Sequence, residues 1–102
     1  MGDPSSIDVD EHPKLKRFRQ QIDALDVELL ELLAKRLAII KEVGAYKKLR
    51  NLPELDEQRW QKATAKRLAQ AKNLDVSEEL VANLFELLHS YTLKIESDIK
   101  NK

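Results

Sequence analysis

Residues 15–49 read LKRFRQQIDALDVELLELLAKRLAIIKEVGAYKKL, and the reading of this run decides the fold. No proline interrupts the chain from Lys14 to Arg50. Apolar side chains recur at Leu15, Phe18, Ile22, Leu25, Leu29, Leu32, Leu33, Leu37, Ile40 and Val43. That three- and four-residue spacing gathers them into one stripe of an α-helix. Gly44 is the one weak position, and a single helical glycine costs only about 1 kcal/mol relative to alanine. A helix of about 36 residues is roughly 54 Å long, whereas a compact domain of this size has a radius of gyration of about 13 Å. The helix therefore overhangs any globule its own chain can build, and its apolar stripe continues along the overhang. Heptads with regular charge pairing at the flanks are not sustained, which argues against a plain coiled coil. A second copy of the chain is the expected cover, because two-fold homodimers are the commonest oligomers.

Outward from this run, "RNLP" breaks the helix, since Pro53 biases Leu52 away from helical backbone. A second helix is predicted from about Pro53 to Lys72, with the proline in its first turn. "KNLDVSEEL" then supplies a loop and a new start, capped either by Asp75 with Glu78 three residues on or by Ser77. The third helix carries Leu80, Leu84, Leu87, Leu88, Tyr91 and Ile95 and fades near Asp98. Residues 1–13 are polar, hold two of the three prolines and show no periodicity, so a flexible N-terminal tail is expected ahead of a helical domain at 14–102. The fold class is all-α: one very long helix and two shorter ones, intertwined as a homodimer.

Composition narrows the function. With 18 basic and 18 acidic side chains the formal charge is zero, so no global field recruits nucleic acid or an anionic membrane. An anionic ligand would need a local cluster of cations. The absence of cysteine excludes disulfides and thiolate metal sites. The first residues carry neither an apolar run nor a basic segment, and no stretch approaches the roughly 20 apolar residues that span a bilayer. A cytoplasmic location is expected.

Some cations fall beside the apolar stripe. Arg36 and Lys47 are 11 residues apart, close to three turns, and follow Leu32 and Val43 by four residues each. At the edge of a buried face a lone cation is costly unless an anion meets it. A salt bridge or a bound anion both satisfy that condition. Arg19 lies on the same side, next to Phe18, but 17 residues from Arg36, roughly 25 Å along the axis. Arg19 can therefore join Arg36 only across a two-fold axis.

These residues resemble the first helix of the all-helical (AroQ-class) chorismate mutases. The family pattern is met by Arg19, Ile22, Leu25, Asp26, Leu29, Leu30, Leu32, Leu33, Arg36, Val43 and Lys47, and continues through Pro53, Asp56, Arg59 and "LFELL". The resemblance covers roughly residues 14–98. It implies an intertwined homodimer with two equivalent sites and the Claisen rearrangement of chorismate to prephenate, without cofactor, metal or covalent intermediate. That chemistry asks a site to clamp two carboxylates in a near-attack geometry and to donate to the ether oxygen as its bond breaks. Arginine forks suit the first task and a compact lysine cation the second. The resemblance implies that Arg36 and Arg59 bind the substrate carboxylates, with Arg19 reaching in from the partner. Lys47 would donate to the ether oxygen, Asp56 would position the ring hydroxyl mainly through its backbone, and Thr92 would contact a carboxylate. Lys47, Glu96 and Arg36 form the implied catalytic set.

Two positions depart from the pattern. Glu96 stands where many members have a glutamine that donates to the ether oxygen. A carboxylate donates only when protonated, so activity favoured at acidic pH is expected; the alternative is a Glu96 paired with Lys47. Trp60 stands where the family usually places a glutamate that accepts from the ring hydroxyl, and indole has no acceptor. Either Trp60 packs the second helix, or it forms a pocket wall and another group reads the hydroxyl. The related alternatives are an isochorismate-pyruvate lyase, a 4-amino-4-deoxychorismate mutase, or a helical interaction module whose catalysis has decayed.

Overall fold

The computed structural model describes residues 12–102 as three α-helices, α1 Pro13–Leu49, α2 Glu57–Asn73 and α3 Glu78–Lys100, and no strand occurs among these residues. The all-helical class and the uninterrupted first helix follow the sequence periodicity. Most of the predicted tail, residues 1–11, lies outside the described residues, and Pro13 already opens α1. Among the described residues, no helix is long and apolar enough to cross a membrane.

The chain forms two compact units, Met1–Arg36 and Leu37–Lys102. In the first, the described residues are the part of α1 up to Arg36. Every residue from His12 to Leu32 is exposed there, including Leu15, Phe18, Ile22, Leu25 and Leu29 of the stripe. The single chain leaves that stripe uncovered.

The second unit contains the end of α1 with α2 and α3. On α2 the less exposed residues are Trp60, Ala63, Thr64, Arg67, Leu68 and Ala71, one helical face. On α3 they include Val81, Phe85, Leu88, His89, Thr92, Ile95, Glu96 and Ile99. These faces pack α2 on α3. Among the described residues, the buried apolar side chains are Ile40, Ala63 and Ala71.

The helix boundaries correct one expectation and decide between the alternatives of another. α2 begins at Glu57, not Pro53, because Asp56 acts as its N-cap: its backbone is extended and its carboxylate accepts from the Arg59 amide at 3.1 Å. The Glu54 carbonyl is taken by Lys47, which holds residues 53–55 as a connection outside the helix. α3 is capped by Ser77, whose hydroxyl accepts from the Leu80 amide at 3.2 Å. Asp75, the other cap considered, instead closes α2.

Both α1 and α2 end in the same device. Asn51 and Asp75 have φ of 55° and 56°, in the left-handed region. Around them Leu52 N–H donates to Lys47 O and Asn51 N–H to Lys48 O, and Val76 N–H donates to Ala71 O and Asp75 N–H to Lys72 O. This is the Schellman arrangement, built with the two non-glycine residue types that best tolerate that backbone.

Candidate active site

Lys47 lies in the last turn of α1, where the helix dipole favours a cation. Its ammonium is 2.7 Å from Glu96 Oε1 and donates to the Glu54 carbonyl at 2.6 Å. The Glu96 side chain is 3% exposed and that of Lys47 22%. A carboxylate so buried requires a cation, and Lys47 supplies it. Of the readings open for Glu96, the structure shows the pair with Lys47.

Gly44, one turn before Lys47, explains how α1 and α3 come near enough for this contact. A Cβ at that position would stand 2.9 Å from Ile99 Cδ1 and 3.4 Å from both Cα and Cγ of Glu96. The connection after α1 is held to the same place, with the Glu54 carboxylate 3.7 Å from the Lys100 ammonium. That pair is substantially exposed, so it guides the loop more than it stabilises the fold.

Thr92, one turn before Glu96 on α3, donates its hydroxyl to the Leu88 carbonyl at 3.0 Å and is half-buried. Asp56 is exposed and commits its carboxylate to the start of α2, and Arg59 is exposed in the first turn it caps. Arg19 and Arg36 belong to the first unit, whereas Lys47, Asp56, Arg59, Trp60, Thr92 and Glu96 belong to the second. Arg19 borders an open hollow with Leu15, Phe18 and Ile22. Residues of a single helix line it, so it becomes a cavity only when another surface closes it.

Trp60 turns its ring onto α3. It stacks on His89 with ring centroids 3.9 Å apart and planes at 15°. The Arg67 guanidinium lies 5.8 Å from the Trp60 ring and 4.3 Å from that of Phe85, within range of cation–π attraction to both. The packing role considered for Trp60 is therefore present.

His89, Glu54 and Gly44 escaped the sequence reading as site residues. The signal for His89 was available: it precedes Thr92 by three residues and Glu96 by seven, the spacing of one helix face. Gly44 was read only as a weak point in a helix, because a close approach between helices leaves no periodicity. Glu54 contributes a carbonyl, which no side-chain pattern announces.

Comparison with known proteins bears on what this arrangement serves. Residues 18–97 match the family described as chorismate mutase type II. A T-protein of Enterobacter agglomerans is 35% identical over 89 residues, covering 85% of this chain and 24% of the relative. A T-protein of Haemophilus influenzae is 34% identical over 70 residues, covering 69% of this chain and 19% of the relative. The chain thus spans about a quarter or less of the length of these curated relatives.

Proposed function

The chain belongs to the chorismate mutase type II family, and from that premise we propose that it rearranges chorismate to prephenate in a site centred on Lys47 and Glu96. The substrate is a small molecule. In the reaction the ether C–O bond breaks as a C–C bond forms across the ring, and no atom leaves. The observation that carries the reading is the part-buried Lys47 ammonium, 2.7 Å from the buried Glu96 carboxylate. A cation preorganised there is worth far more to a developing ether oxyanion than one in bulk water.

Lys47 donates to the ether oxygen, and Glu96 joins it when protonated. Arg36 and Arg59 grip the two carboxylates, Thr92 adds a hydroxyl to one of them, and the backbone at Asp56 positions the ring. Trp60 closes the wall next to Arg59. Arg19 enters from a second copy of the chain, seated on the uncovered stripe of α1. The exposed Leu15, Phe18, Ile22, Leu25 and Leu29 support that homodimer, because a long apolar stripe is unfavourable in water. Residues of these kinds complete the chemistry without metal or cofactor. The protein works in the cytoplasm.

A second reading rests on Trp60, whose indole replaces a hydroxyl acceptor: the enzyme would then act as a lyase on isochorismate, whose ring hydroxyl sits elsewhere. Purified protein is incubated separately with chorismate and isochorismate and the products are identified. Prephenate from chorismate supports the proposed activity. Salicylate with pyruvate from isochorismate, and no prephenate, replaces it with the lyase. Neither product returns the chain to a helical interaction module.

A further inference from the structure

We propose that His89, oriented by its stack on Trp60, is a specificity-determining residue that hydrogen-bonds the ring hydroxyl of the substrate. The assignment rests on the mutase reading above and deepens it.

The placement comes first. His89, Thr92 and Glu96 occupy positions three and seven residues apart on the packed face of α3, and all three are at least half-buried. Glu96 marks one end of this row, where it meets Lys47. His89 marks the other, two turns or about 10 Å away along the axis. A cyclohexadiene carrying an enolpyruvyl ether and a hydroxyl at neighbouring carbons is shorter than this row. With its ether at Lys47, the hydroxyl on the neighbouring carbon is directed along the row, from the Lys47 end toward His89.

Chemistry then selects among the groups on this wall. A hydroxyl carried out of water is costly without a hydrogen-bond partner. Trp60 offers one N–H, in the plane of a ring whose face is covered by His89 at 3.9 Å. Arg59 and Arg67 only donate, and Arg67 already lies against the rings of Trp60 and Phe85. Thr92 commits its hydrogen to the Leu88 carbonyl, so of these side chains imidazole is the one that can present either a donor or an acceptor. A contact at one nitrogen sets which of the two the other nitrogen presents. The near-parallel stack fixes the plane in which those nitrogens point, so the tryptophan acts through the histidine as a positioning residue.

The test compares chorismate with an analogue that lacks only the ring hydroxyl, in wild type, His89→Phe and Trp60→Leu. His89→Phe keeps a ring on Trp60 but removes both nitrogens. Wild type is expected to favour chorismate by about tenfold or more in kcat/KM. His89→Phe is expected to bring the ratio close to one through loss on chorismate, with the analogue turned over at the wild-type rate. Trp60→Leu, which frees the imidazole plane, is expected to lower the ratio by several-fold. Equal losses on both substrates in His89→Phe would make the histidine a packing residue and overturn the assignment, as would an unchanged ratio. Absence of prephenate from wild type would instead overturn the mutase reading, and this assignment with it.

Discussion

Glu96 is 3% exposed and touches the Lys47 ammonium at 2.7 Å, and this contact sets a condition on catalysis. A carboxylate can only accept, so in the proposed site Glu96 competes with the substrate for the Lys47 ammonium. Glutamine keeps the shape, removes that competition and brings an N–H donor. Glu96→Gln is therefore expected to turn over chorismate at least as fast as wild type. Initial rates of chorismate consumption by the two proteins check this; a severalfold loss in the variant would count against the proposed competition. The sequence displayed both residues and the helix faces that carry them. It did not display the choice between substrate and Lys47 as the partner of Glu96, because that choice depends on how closely α1 and α3 approach.

That approach is an element-scale property and turns on Gly44. A Cβ there already meets Ile99 Cδ1 at 2.9 Å, and a branched side chain has no room to withdraw from Glu96 Cα at 3.4 Å. Gly44→Val is expected to force α3 away from α1, lowering stability by about 2 kcal/mol as overpacking does, and to weaken turnover through the displaced Lys47–Glu96 pair. Urea unfolding and kcat measure the two effects. The helix ends give a separate expectation. Asp75 holds a φ of 56°, which a β-branched residue resists, so Asp75→Val is expected to cost about 1–2 kcal/mol in the same unfolding experiment while leaving kcat unchanged. Helix number, the long α1 and the break after it were legible because apolar spacing and Pro53 report them directly. The start of α2 was not, since the proline marked a break while Asp56, three residues later, supplied the cap. Trp60 was legible as an anomaly, but its partner His89 belongs to another helix, and one strand of sequence carries no mark of such a pairing.

At the scale of the whole molecule, the proposed enzyme needs two copies. The stripe of α1 through Leu32 is exposed in the single chain, and Arg19 stands beside it. If Arg19 serves the partner's site, two inactive variants complement each other. A dimer of Arg19→Ala with Lys47→Gln holds one site lacking both groups and one site lacking neither. Equal mixing after unfolding and refolding is expected to restore about a quarter of wild-type activity, since half of the dimers are mixed and each has one intact site. Mixing without recovery would place Arg19 outside the partner's site. The family match at residues 18–97 sets the chemistry to be tested, and Lys47 of the second unit is the cation proposed to serve it. The most direct measurement is the rate of prephenate formation from chorismate by wild type and by Lys47→Gln, with the helical content of both checked by circular dichroism. Prephenate from wild type and a loss of about a hundredfold or more in kcat for the variant are expected; a folded Lys47→Gln protein that makes prephenate at the wild-type rate, or a wild type that makes none, would contradict the account.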